Sequence, residues 1–521
     1  MPRRVFLGGA LAASSGLWVG CSPGSPSPSP TPPPPPAGPR PAIPYGVQSG
    51  DVTPQGAVVW SKTDRQARMI VEWSPDPSLR GARTVAGPVA TAEADFTARV
   101  ELPDLPAGER IHYRVRFEDQ APGGLSSEPI AGSLVAAPAG RRDVLFAWSG
   151  DTAGQGWGID AARGGMLIYE SMRRLRPDFF IHCGDMIYAD SPIVAEVPLA
   201  DGTLWRNLVT PEKSKVAETL AELRGNYAYN LLDESVRRFN AEVAQIVQWD
   251  DHEIHNNWYP GEVLQDDRYT ERRADVLAAR ARQAMREYTP IRPAGERIYR
   301  ACPYGPSLDV FVLDERSYRG PNTENRQLAP GPETAFLGAE QLAWLKGALA
   351  ASKATWKVVA TDMPLGLIIP GGVRGGPPVE EAFANGAGPP LGREHELADL
   401  LASMKRARVR NVVFVTADVH YTAAHHYDPA RAEFKDFDPF WEFVSGPLHA
   451  GTFGPNPLDP TFGPEVRFQR APAPGEGNLP PSAGMQFFGT IRIDGATEVM
   501  TVRLHDRAGE PLWSVDLQPV R

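Results

Sequence analysis

Four short clusters carry the residues that could do chemistry, and each closes an apolar run: Gly150-Asp151, Gly184-Asp185, Asp250-Asp251-His252-Glu253 and Asp418-Val419-His420. One carboxylate at a strand end is often only an N-cap for the next helix. The ordered set says more. In open α/β sheets ligands bind beyond the carboxyl ends of the strands, so clusters distant in sequence can meet at one edge. Carboxylates gathered there repel, and burying them is unfavourable unless cations compensate. Oxygens of Asp and Tyr with nitrogen of His suit hard or borderline ions such as iron, manganese, zinc or calcium. Two such ions about 3.5–4 Å apart can generate hydroxide near neutral pH and stabilise an in-line displacement. The patterns GDxxY (Gly184–Tyr188), WDDHE (Trp249–Glu253) and ADxH (Ala417–His420) follow one another in this order.

The elements that must position these residues are legible as short apolar runs. VLFAWSG, DFFIHCGD, AQIVQWDDHE, LDVFVLDE, WKVVATD and NVVFVTAD read as buried strands. Helices are expected at 159–175, 338–351 and 394–407. The late segments MQFFGTIRI, VMTVRLHD and WSVDLQ read as antiparallel strands. Residues 142–521 are therefore expected to form an α/β layered fold, β-sheets flanked by helices, with long insertions. Residues 45–137 differ. GAVVWSK, RMIVEWS, FTARVEL and HYRVRF alternate with period two between turns marked by Pro75, Pro77, Gly81, Pro103 and Gly108. That pattern predicts a small fibronectin- or immunoglobulin-like β-sandwich. It holds no cluster of ligand residues, and His112 reads as structural. The Gly- and Pro-rich stretch 371–390 reads as a surface loop or lid.

The start, MPRRVFLGGALAASSGLWVGC, has a charged region at Arg3 and Arg4 and a short apolar stretch. It reads as a signal peptide over residues 1–21, resembling a twin-arginine export signal. Gly20-Cys21 resembles the end of a lipoprotein box, so Cys21 is a candidate lipid anchor; an ordinary cleaved signal is the alternative. Residues 22–44 are nearly all Pro, Ser and Gly, a spacer that cannot build a core. Localisation outside the cytoplasmic membrane, periplasmic or at the cell surface, follows from these features. The net charge of −10 argues against a nucleic-acid-binding surface. Of three cysteines, Cys183 and Cys302 read as free, buried thiols. A monomer is expected.

The chain resembles the alkaline phosphatase D (PhoD-like) family within the calcineurin-like metallophosphoesterases. The resemblance runs from GVQSGDVTPQGAVVWSK through SGDTAGQGWG, HCGDMIYAD, WDDHEIHNNW and LDERSYRG to TADVHY and EFVSGPLHAG. It implies hydrolysis of phosphate mono- or diesters by attack of a metal-activated hydroxide. It further implies that Asp151, Tyr188 and His420 bind a first metal and that Asp185 bridges two. Asp251 and Asp418 would bind the second, and His252 would contact the phosphoryl group or leaving oxygen. Asn256, Asn257 and Arg316 are candidate substrate contacts; an ion pair with Asp314 or Glu315 is the other reading of Arg316. Family members of this type are associated with iron plus calcium. Their first motif carries a cysteine ligand where this chain has WSGDTAG, and VVATDMPLG offers Asp362 where the superfamily has a histidine. An oxygen-rich second site suits calcium or manganese over zinc. The competing expectations are a diesterase acting on phospholipid or teichoic acid, and a non-catalytic envelope lipoprotein with a metal-stabilised scaffold.

Overall fold

The computed structural model describes residues 40–121, 123–292, 295, 297–371 and 379–521. The expected leader, Cys21 and most of the spacer lie outside the described residues. Seven strands come first: β1 (Val47–Thr53), β2 (Gly56–Lys62), β3 (Ala67–Ser74), β4 (Arg83–Ala90), β5 (Thr97–Pro103), β6 (Arg110–Asp119) and β7 (Ile130–Val135). Period-two patterning sets their faces: in β6, Ile111, Tyr113, Val115 and Phe117 turn inward while their neighbours stay at least partly exposed. The sheet β4-β3-β6-β7 packs on β1-β2-β5 around Val59, Met69, Val100 and Val115. This is the expected sandwich.

The α/β part begins with β8 (Val144–Ser149), α1 (Leu167–Leu175) and β9 (Phe179–Cys183). A small hairpin of β10 (Glu196–Pro198) and β11 (Leu204–Arg206) precedes α2 (Leu220–Asn230), α3 (Glu234–Glu242), β12 (Ala244–Gln248) and α4 (Ala274–Tyr288). The second half holds β13 (Arg300–Pro303), β14 (Leu308–Val312), α5 (Gly338–Ala351), β15 (Trp356–Ala360), α6 (Glu394–Arg406) and β16 (Val412–Thr416). It continues with β17 (Thr422–Tyr427), β18 (Phe440–Val444) and β19 (Pro464–Arg470). The antiparallel trio β20 (Phe487–Ile493), β21 (Met500–Asp506) and β22 (Pro511–Leu517) closes the described chain.

Two large sheets result. One has the order β22-β21-β20-β8-β9-β12-β1-β2-β5 and the other β13-β14-β15-β16-β18-β17-β19. They pack face to face through Phe146, Trp148, Ile181, Val310, Val358 and Val415. Their outer faces carry helices: Met172, Phe239 and Met285 cover the first sheet, and Leu345 and Leu401 the second. Strands buried on both sides need apolar residues without alternation, which is why VLFAWS and VVFVT read as unbroken runs.

Three features depart from expectation. The helix expected from Ile159 begins only at Leu167, because Gly164 and Gly165 sit at φ 89° and 67° and break it. Part of the supposed lid is buried: Ala382, Phe383 and Asn385 are inside, while 372–378 lie outside the described residues. The sandwich is also not separate. β1 pairs in parallel with β12 at Gly50 and Gln245, so β1-β2-β5 prolong the catalytic sheet.

Candidate metal centre

β8, β9 and β12 are parallel neighbours, as are β14, β15 and β16 in the facing sheet. Their carboxyl ends therefore deliver Asp151, Asp185, Asp251, Asp362, Asp418 and His420 to one edge. Four of these sit in the left-handed region: Asp151 at φ 68°, Asp185 at 51°, Asp418 at 64° and His420 at 59°. Each costs on the order of 1–3 kcal/mol and persists only where the surroundings enforce it. The enforcement is visible. Buried Glu253 accepts from the main-chain N–H of Met186 (2.7 Å) and of Asp250 (2.9 Å), tying the β9 turn to the β12 turn. His449 donates its N–H to Asp151 O (2.9 Å) and accepts from Ala153 N (2.6 Å). Asn230 Nδ2 donates to Met186 O (2.7 Å).

The ligating atoms of Asp151, Asp185 and His420 lie within 4.8 Å of one another, as do those of Asp185, Asp251 and His252. Asp185 belongs to both sets. Both Asp151 oxygens, Asp185 Oδ2 and Asp251 Oδ1 are buried without a hydrogen-bond partner. Burial pushes the carboxyls of Asp151, Asp185 and Asp418 well above the usual range. Such a group of carboxylates is stable in ionised form only beside cations, so the donor set fits metal ions. Asp251 is held at about 2: burial opposes ionisation, and His252 and then Arg316 outweigh it. His420 directs Nδ1 at the Gly451 carbonyl, which leaves Nε2 as the acceptor facing Tyr188 Oη at 2.8 Å and Asp151 Oδ1 at 3.7 Å. Burial pulls its pKa down to about 4, so it is the neutral imidazole a metal requires.

His252 is held differently. Nδ1 lies 2.8 and 2.9 Å from the two Asp190 oxygens, and Asn256 N donates to Asp190 Oδ2 at 2.8 Å. Burial disfavours the imidazolium, but Asp190 and Asp251 outweigh it and raise the pKa to about 10. Asp190 was not singled out in the sequence, although it stands two residues past Tyr188 inside HCGDMIYAD. Lys213 lies outside every sequence motif of the site. It is buried, donates from Nζ to Tyr188 O (2.7 Å), and burial lowers it to about 7.

Other candidates fall elsewhere. The Arg316 side chain is wholly buried, clamped by Asp250 and Glu381 at 2.6 Å each. Its partners are thus neither of those expected. Asn257 (φ 59°) gives its main-chain N–H to Asp251 Oδ2, whereas Asn256 is exposed and is tied to Asp190 by its main chain. Asp418 shares the turn with His420, but its carboxylate joins neither donor set among the described residues. His182 packs beneath, 3.2 Å from Thr152 Oγ1. Cys183 and Cys302 are free and buried.

The PhoD-like phosphatase family matches residues 146–504, and the N-terminal domain of PhoD-like phosphatases matches residues 29–138. The chain belongs to the PhoD-like phosphatase family. It is accordingly a hydrolase of phosphoric esters. Alkaline phosphatase D of Bacillus subtilis (strain 168) is 27% identical over 446 residues, 78% of this chain and 70% of the relative. Among solved structures, that of PhoD superposes with a TM-score of 0.67 at 21% identity, over 92% of this chain and 89% of the other. The purple acid phosphatase PPD1 of yellow lupin (Lupinus luteus) seeds gives 0.54 at 14% identity, over 92% of this chain and 74% of the other. These two likenesses concern the fold. Among the described residues no helix is long and apolar enough to cross a membrane.

Proposed function

We propose that this is an exported, metal-dependent phosphoesterase that hydrolyses phosphate mono- or diesters at the Asp151–Asp185–Asp251 edge. The observation that carries this reading is the set of buried, unpartnered carboxylate oxygens sharing Asp185 between two donor groups. Asp151, Asp185, Tyr188 and His420 would hold one ion, and Asp185 and Asp251 the other, with Asp418 alongside. A phenol in the first set suits ferric iron, and carboxylates in the second suit calcium or manganese. Such ions supply Lewis-acid charge to the phosphoryl oxygens and lower the pKa of water. His252 supplies what they do not. Asp190 stabilises its imidazolium form, so Nε2–H can donate to a phosphoryl oxygen or the departing alkoxide. The leader, read as a twin-arginine signal, supports export.

The test is metal analysis of the natively exported protein with mono- and diesterase assays on the same sample, repeated on Asp185→Asn. We expect two kinds of donor-matched metal, activity lost on chelation, and a folded Asp185→Asn variant in which hydrolysis is abolished. Undiminished turnover in Asp185→Asn would sink the assignment.

A further inference from the structure

We propose that the face opposite the metal centre binds a linear polyanion with repeated phosphate groups. The proposal rests on two cavities and their charge, independently of how the metal centre is read. The first cavity, about 440 Å³, opens where β15 and β16 begin, with Thr355 and Asn411 in its wall. Leaving aside the last residue, Arg521, its charged lining is Arg141, Lys353, Lys357, Arg408 and Arg410 against one acid, Glu498. Arg141 lies 3.5 Å from Glu498, and Arg410 pairs with Asp438. Lys353 and Arg408 are exposed and make no ion pair among the described residues.

The second cavity, about 420 Å³, opens where β9 and β12 begin, at Pro177 and Val243. Arg110, Arg173, Arg174 and Arg176 face Glu242 there. Arg173 is taken by Glu170 and Glu242, and Arg174 by Glu170. Arg176 is exposed and unpaired among the described residues. The cavities are neighbours: Arg141 lines the first, and Arg142 pairs at 3.2 Å with Asp178, the residue after Pro177 of the second. Strand ends that supply metal-binding residues point the other way, so both cavities lie on the far side of the sheets.

A chain of net charge −10 that gathers cations in two adjoining cavities inverts its own field locally and attracts anions there. One small anion would satisfy one cavity. Two basic cavities, linked along the chain where Arg141 and Arg142 meet Glu498 and Asp178, match a ligand whose negative charge repeats. Val520 is the single exposed large apolar side chain in either lining, so there is no apolar wedge for a bilayer.

The experiment uses the full chain with linear inorganic polyphosphate, inorganic phosphate, and phosphatidylglycerol-containing vesicles as probes. Two variants reverse exposed charges, Lys353→Glu/Arg408→Glu and Arg174→Glu/Arg176→Glu. We expect polyphosphate to bind, to weaken as salt rises, and to bind at least about tenfold more weakly in each variant, with hydrolysis of a small aryl phosphate unchanged. Equal polyphosphate affinity in both variants would place the polymer at the metal centre and overturn the proposal. So would displacement by equimolar inorganic phosphate, which would make it a single-anion pocket, or binding of vesicles without polyphosphate, which would make it a membrane contact.

Discussion

His252 has its two ring nitrogens in different company: Nδ1 is held by Asp190, and Nε2 lies 4.0 Å from Asp251 Oδ1. On the proposed function, Asp190 would act through His252, whose Nδ1 it holds. Replacing it with Asn keeps the shape and removes the charge. We expect kcat to fall roughly 10–100-fold, less than the roughly 10²–10⁴-fold a proton donor itself contributes because His252 remains in place, with KM nearly unchanged. The double variant Asp190→Asn/His252→Ala should be no slower than His252→Ala alone, because residues acting as a unit are non-additive; additive losses would show that Asp190 works some other way. Strand-end carboxylates announce themselves in sequence because a charge closing an apolar run is conspicuous. Arg316 does not, because its burial depends on Glu381, a residue 65 positions on that folds back over it.

At the level of elements, the site is assembled by turns that tolerate no added volume. Gly446, just past β18, sits so close to Asp151 that a Cβ built on it would overlap Asp151 Oδ2, a carboxylate that is itself buried and cannot retreat. Gly446→Ala should therefore leave the fold in place and weaken metal retention by about 10–100-fold, the scale of disturbed ligand support. Metal stoichiometry of the purified variant reads this directly; full metal content with normal activity would show that Asp151 has freedom the packing denies it. SGPLHAG shows glycine in the sequence, but its reason is a contact across nearly 300 residues. The same holds for α2, α3 and α4, which were not anticipated. In α2 the amphipathic pattern is weakened by polar residues turned inward to brace loops: Asn226 and Asn230 are buried and donate to the carbonyls of Glu212 and Met186.

Over the whole molecule, the sandwich and the catalytic sheets are joined through one continuous sheet. Period two in residues 45–137 showed strands but could not show that β1 has a second partner, since an edge residue and a shared one look alike. Gly50 makes the junction possible: a Cβ there would strike the Gln245 carbonyl and Pro290. Asp51 then reaches across to Arg300 at 2.6 Å, both largely buried, and Arg300 donates to Val247 O of β12 at 2.9 Å. Arg292 N donates to the same carboxylate at 2.7 Å. Removing one partner of a buried pair strands the other charge, which costs about 3–5 kcal/mol. Asp51→Ala, distant from the metal centre and outside the catalytic motifs, should therefore lower the melting temperature of the entire protein by several degrees, in a single calorimetric transition. Two independent domains would instead give two transitions, with only the lower one moving and activity lost at the temperature of the other. A single shifted transition, with inactivation tracking it, is what a sheet shared between the two regions requires.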